Sequence, residues 1–551
     1  MADPIVPDST TPTPPEAPTP TPVTAPEATQ PAPSVPPVDP GMGGSSVRRS
    51  AVLGLLLVAV AGAAVYGVGT FLKPEASKST AIARKDIPLL RVSPGGPLSA
   101  AMYPNISPDS NQVEVNTQIF EGLVAFSEET KIVPLLATSW TTPTPTTWVF
   151  KLKTDVKFHT GTVMSAKHVK ASLEAAKASQ LGQVFSGTIK QVDVVDPATV
   201  KITTSAPDPL LLNELASLYV FDTDSTKVND GVNGTGPYAV TSATDALVKL
   251  KAFDGYHGGH VYTRELDYVQ AAEDPKDVVG ALEKGSIDVA TDLPDVENAK
   301  LAKGRYTSTV FPLYGTSHFV FNTRRPGPLT KKAVRLAVAA AIDRATINAK
   351  RLDFNPATYK VADQVVPVGI PGNDPSIKGP VYDPATAKKL LTDAGYPNGF
   401  KMKITYYPST QKIIDEVTPN LAAVGITVVP DPQSDIKQLI DIAVGGKTDM
   451  YFNQVQSSIV DASDILSDFI DAPNYKNSQL TTLNTQAAST LDAKKRLALL
   501  QEMSRLVADD RADIPMYSNL PMLVTHPKNV VLRRDSQSGS IGVYFAKVYQ
   551  K

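Results

Sequence analysis

Between residues 147 and 406 the chain returns repeatedly to one pattern, a run in which every second position is apolar. Residues 147–153 (TWVFKLK) set Trp148, Phe150 and Leu152 against Val149, Lys151 and Lys153. Residues 199–204 (TVKITT), 247–253 (LVKLKAF) and 401–406 (KMKITY) alternate similarly. Successive strand side chains point to opposite faces, so each run predicts a half-buried strand. Between these runs lie helical stretches with clear punctuation. Asp383 caps a helix whose first turn holds Pro384, and Gly395 stops it, with Pro397 beyond. Asp274-Pro275 opens another that ends before Gly285. Residues 330–350 are rich in Ala, Val and Leu, and near 493–509 Leu497, Leu500, Ser504 and Val507 share a face. Strands and helices alternate without a repeat of fixed period, which predicts an α/β or mixed α+β body.

The N-terminal region breaks this pattern. Residues 51–72 (AVLGLLLVAVAGAAVYGVGTFL) carry no charge. At ~1.5 Å per residue they reach about 33 Å, the thickness of a bilayer core. A cleaved signal peptide is the alternative, with Ala61, Ala63 and Ala64 as a cleavage region and Ser46-Val47-Arg48-Arg49 loosely like a twin-arginine signal. The long leader favours an uncleaved anchor. Lys73, Lys78, Arg84 and Lys85 follow the run and Arg48 and Arg49 precede it, so flanking charge does not set the orientation. Ahead of it, residues 1–47 hold fourteen prolines between Pro4 and Pro40, with five acids and no base. Such a segment has nothing to bury, so it is expected to be disordered with polyproline character. Residues 74–86 read as a linker.

The 465 residues from 87 to 551 suffice for two to four domains. Lys+Arg 53 against Asp+Glu 55 leaves a net charge of −2, so no basic excess points to nucleic acid. The absence of cysteine excludes disulfides, a thiolate nucleophile, Cys-ligated metal and a lipidated N-terminal cysteine. Catalytic motifs are missing as well. There is no Gly-x-Ser-x-Gly and no His-Glu-x-x-His, and Gly446-Lys447-Thr448 lacks the earlier glycine of a phosphate loop, where Asp441 stands. Of the six histidines only His257-Gly-Gly-His260 are closely spaced, and no third ligand accompanies them. Neither an enzyme, a cofactor nor a metal is expected.

One ordered set of segments carries a family resemblance. Phe120-Glu121-Gly122-Leu123 is followed by Val133-Pro134-Leu135-Leu136-Ala137-Thr138-Ser139-Trp140 and by TWVFKLKTDVKFHTGTVMSAKHV at 147–169. Gly234-Thr235-Gly236-Pro237-Tyr238, LEKGSIDVA at 282–290, Phe321-Asn322-Thr323, AVRLAVAAAIDR at 333–344 and YDPATAKKLLTDAGYPNGF at 382–400 come next. In this order, over about 90–550, they resemble the bacterial extracellular solute-binding proteins of the peptide/nickel class, family 5, which serve ATP-driven importers. Read as scaffold, Gly234 and Gly236 allow backbone geometry that side chains forbid, and Pro237 fixes the exit.

The resemblance implies a two-lobed periplasmic-binding-protein-like fold that closes on a ligand. Lobe I would span 87–325 with an extra subdomain near 121–230, lobe II 326–525, and 526–551 would return to lobe I. It implies a monomer that binds a peptide or similar polar solute and docks on the permease subunits of an ABC importer. Residues 51–72 would tether it with the lobes outside and the proline-rich tail inside. In peptide-binding members a lobe II loop carries a tryptophan and then an aspartate for the peptide's amino terminus. The matching stretch is DMYFNQVQSSIVDASDIL (449–466), in register at Asp449-Met450 and Asp461. Val455 stands for the tryptophan and Ser458 for the aspartate. Serine offers only a neutral hydroxyl where a carboxylate would form a charge-assisted bond. Either the ligand lacks a free amine, or Asp461 or Asp109 substitutes. Thr160 likewise replaces the family's aspartate in a strand-end turn, and Tyr256-His257 its Tyr-Trp pair. By position, Asp109, Ser110, Asn322, Asn453, Gln454 and Gln456 join the candidates for the ligand site, with Tyr451 and Phe452 as stacking surfaces. A sensor or chaperone module signalling across the membrane is the alternative that the long tail suggests.

Overall fold

The computed structural model describes residues 84–551, apart from 95–97, 101–103, 105–109, 128–129, 180–186, 225–232, 271–274, 292, 294, 351–359, 458, 471 and 533–542. The proline-rich tail and the apolar run 51–72 lie outside the described residues. Among the described residues no helix is long and apolar enough to cross a membrane.

The alternating runs form strands as their pattern requires. Thr147–Leu152 buries Trp148, Phe150 and Leu152, and Leu247–Ala252 buries Val248, Leu250 and Ala252. Each large apolar side chain so buried contributes about 1.5–3 kcal/mol. Thr199–Thr204 and Lys401–Tyr406 are strands over the expected spans. The helix Pro384–Asp393 starts where Asp383 accepts from the Thr386 amide at 2.9 Å, and Gly395 beyond it adopts φ +91°. Residues 330–350 are not one helix. Lys332–Ala341 ends at Ile342, and Arg344–Lys350 starts anew with the Asp343 carboxylate accepting from the Thr346 amide at 3.0 Å.

The largest sheet has eleven strands and two halves. In one half Thr427–Pro432, Lys401–Tyr406 and Met450–Gln456 lie side by side. In the other lie Val289–Thr291, Leu90–Ser93, Glu265–Val269, Leu247–Ala252 and Tyr238–Ala243. Two long antiparallel strands, Tyr306–Phe321 and Asp513–Pro527, belong to both, pairing from Tyr306 with Pro527 to Val320 with Asp513. The first half joins them through 315–321, the second through Val524 and Thr525. A register shift between Leu313 and Thr316 interrupts the long pair between these attachments.

A separate four-stranded sheet orders Ala137–Thr144, Thr147–Leu152, Thr199–Thr204 and Ile189–Asp196. Its core is continuous with side chains from 365–512, including Val366, Ile465, Leu500 and Val507. The flanks of the large sheet have their own cores, one around Tyr238, Leu266 and Phe545, the other around Phe319, Met402 and Val417. Gly234 and Gly236 serve close approach rather than unusual torsion. A Cβ on Gly234 would lie 2.0 Å from the Ile119 carbonyl oxygen, and one on Gly236 2.7 Å from the Ile119 carbonyl carbon.

Candidate functional site

The seam between the two half-sheets is irregular. Besides the register shift, two buried polar atoms there have no partner, Thr316 Oγ1 and Gln456 Oε1. They sit on neighbouring strands, where Thr316 pairs with Val455 and Gly315 with Gln456. A bulge re-aims side chains and commonly borders a functional site. A buried polar atom without a partner is unfavourable unless water or a ligand meets it.

The loop leaving strand Met450–Gln456 is held at several points. The Ser457 amide donates to the Tyr314 carbonyl at 3.0 Å. Val460, fully buried, adopts φ +44°. A β-branched residue in that region is strained and persists only where its surroundings enforce it. Two neighbours enforce it. Asn213 Nδ2, from helix Leu211–Ser217, donates to the Ile459 carbonyl at 2.8 Å. Asp461 caps helix Ala462–Ile465 and accepts from the Ser463 amide at 3.0 Å and the Ser463 hydroxyl at 2.6 Å. Asp461 also receives both Nη1 and Nη2 of Arg496, the latter at 2.9 Å.

The residues singled out in the sequence divide sharply here. Ser458 and Asp109 lie outside the described residues, and Ser110 opens helix Ser110–Ile119 with its side chain outside them. Asn453, Gln454, Val455 and Gln456 are consecutive on one strand and therefore face alternately. Gln454 Nε2 donates to Ser317 Oγ and Tyr517 OH, both at 3.2 Å. Val455 packs on the opposite side, against the core shared with the four-stranded sheet. Asn453 donates to Asp468 Oδ2 at 2.6 Å. Burial holds the Asp468 carboxyl above its ordinary range, with His318 pulling the other way. One solute face cannot take all four side chains.

Asp461 is fully engaged, so its carboxylate is not available to an ammonium group. Asn322 is a turn organiser. Its Nδ2 donates to the carbonyls of Gly446 at 2.8 Å and Thr448 at 2.9 Å, and its Oδ1 accepts from the amides of Arg324 and Arg325. Tyr451 and Phe452 are buried in two different cores and present no stacking surface. His257 and His260 do not converge. His257 Nε2 lies 2.7 Å from Glu121 Oε2, and His260 Nε2 lies 2.8 Å from Asp86 Oδ1. Among the described residues no group of three or more His, Asp or Glu is placed to hold a metal. Thr316, Tyr314, Tyr517 and Asn213 join the seam only through pairings distant in sequence, and nothing local marked them. Hydroxyls and amides predominate among the groups assembled, beside the Asp468 carboxyl bonded to Asn453, a set suited to hydrogen-bonding a polar solute.

Comparison with known proteins agrees with this architecture. The profile described as "Bacterial extracellular solute-binding proteins, family 5 Middle" matches residues 131–477. The glutathione-binding protein GsiB of Shigella dysenteriae serotype 1 (strain Sd197) is 26% identical over 490 residues, covering 82% of this chain and 92% of the relative. Among solved structures, the ABC transporter substrate-binding protein CtaP of Listeria monocytogenes superposes with a TM-score of 0.75 at 20% identity, covering 85% of this chain and 100% of that one. The periplasmic binding protein DppA of Helicobacter pylori, in complex with the peptide STSA, gives 0.67 at 23% identity, with 85% and 98% covered.

Proposed function

The chain belongs to the bacterial extracellular solute-binding proteins of family 5, and from that membership we propose that it captures a peptide or similar polar solute for an ABC importer. The solute lies at the seam and is enclosed when the halves close about the two long strands. The observation that carries this reading is the sheet itself, two half-sheets that share only Tyr306–Phe321 and Asp513–Pro527, with a register shift between their attachments. The lobes are then 87–325 with the subdomain near 121–230, and 326–525, with 526–551 returning to the first. Relatives support the solute class. The curated one is named for binding glutathione, itself a peptide, and a solved one holds a tetrapeptide.

The solute's amine is not clamped by a lobe II carboxylate. Ser458 stands at the clamp position, and Asp461 is occupied by Arg496 and Ser463. Residues 51–72 anchor the chain in the membrane with the lobes outside, where the permease subunits meet them. Native mass spectrometry of the full chain, purified gently from its host membrane, tests the reading. A bound mass of a peptide or polar solute, released on denaturation, is expected. A chain that carries nothing and binds no peptide, free or blocked, overturns it.

A further inference from the structure

The chain has two tryptophans, Trp140 and Trp148, and both line one groove that Asn213 and Asp461 also border. Their neighbourhood follows from the four-stranded sheet. Trp140 is the cross-strand partner of Phe150, and Trp148, two residues before Phe150 on the same strand, shares its face. Opposite them stands the first part of helix Ala493–Asp510, which contributes Ala493, Leu497 and Leu500. The cavity between is about 650 Å³, within the range of small-molecule pockets.

Three features define what fits. The walls are mainly apolar, and Leu491 and Leu497 at the groove are 36% and 38% exposed, so apolar surface is left uncovered. Trp148 is 7% exposed, yet its indole N–H has no acceptor. The charged groups favour no anion. Arg496 is spent on Asp461, while Asp492, which caps the helix through the Lys495 amide, adds a carboxylate to the wall.

We propose that this groove is a second small-molecule site, taking neutral, ring-sized apolar compounds that carry one hydrogen-bond acceptor. It shares Asn213 and Asp461 with the surroundings of the seam but none of the strand residues Thr316, Gln454 and Gln456. Its two tryptophans are the protein's only indole reporters, so emission excited selectively at tryptophan reads the site directly. The probes are benzamide, neutral with a carbonyl acceptor, and benzoate, its anionic near-isostere, titrated into the full chain. Benzamide is expected to change the emission saturably, and benzoate to bind at least tenfold more weakly. Trp148→Phe, which keeps a ring and removes the N–H, is expected to weaken benzamide at least fivefold, read through Trp140. Leu497→Lys, at an exposed position that spares the core, is expected to abolish saturation. Linear quenching by both probes, equal affinity for the two, or saturation unchanged in Leu497→Lys would overturn the proposal.

Discussion

The side-chain amide of Asn213 is bonded to the backbone carbonyl of Ile459 at 2.8 Å, across 246 residues of sequence. It fastens the helix beside the four-stranded sheet to the strained loop at Val460. A buried carbonyl that loses its donor costs about 1–3 kcal/mol.

If closure of the halves is what buries this bond, Asn213→Ala acts on closure. Solute affinity should fall roughly 5- to 100-fold, corresponding to about 1–3 kcal/mol. Calorimetric titration against the co-purified solute checks this. Unchanged affinity would remove the bond from the closing mechanism.

Thr316 separates stability from binding. Its hydroxyl is buried and unpartnered, so Thr316→Val removes an unsatisfied polar group while keeping shape. The solute-free protein should be no less stable to denaturant, and the solute should bind about tenfold more weakly, a loss of about 1.4 kcal/mol. A variant that is destabilised without solute would mean that the hydroxyl serves the fold.

The ion pair of Arg496 with Asp461 makes the opposite prediction. Both side chains are almost fully buried, and removing one partner of a buried pair costs about 3–5 kcal/mol. Arg496→Met should therefore lower unfolding free energy by that much in urea. The double change Arg496→Met with Asp461→Asn should recover part of it, because no charge is then stranded.

The sequence made some of this legible and hid the rest for a physical reason. Alternation at 147–153 and 401–406 is a local signal, because a strand's faces are set by its own residues, and both strands stand where it placed them. The cap at Asp383 and the stop at Gly395 are equally local. Asp343 was a local signal as well, and its capping splits the Ala-rich stretch that composition alone reads as one helix. Leu497 shares a helical period with Leu500 and Val507, but its face meets the groove rather than the core. The site is a matter of register between distant strands. That Thr316 faces Val455 on one side and Ser518 on the other is settled by pairing. The role of Asp461 depends on an arginine 35 residues away.

His526 supplies a pH dependence. It is buried near one end of the long strand pair, Nε2 lying 2.8 Å from the Thr309 hydroxyl and Nδ1 3.0 Å from the Pro527 carbonyl. Burial lowers its pKa from the ordinary 6.5. The unfolded chain therefore binds a proton at a higher pH than the folded one does. The contribution to stability is complete above pH 6.5 and is lost as pH falls below it toward the depressed folded value. His526→Gln should flatten the stability profile over that window in urea titrations. An equal slope in the variant would assign the dependence to other groups.

The central claim is a solute site without a lobe II carboxylate clamp for an amine, and one comparison tests it most directly. Calorimetry would measure the full chain against a tetrapeptide pool with free amino termini and against the same pool N-acetylated. The acetylated pool is predicted to bind at least as tightly. A loss of ~100-fold or more on acetylation, about 2.7 kcal/mol, would contradict the account and place a charged partner for the amine at the site.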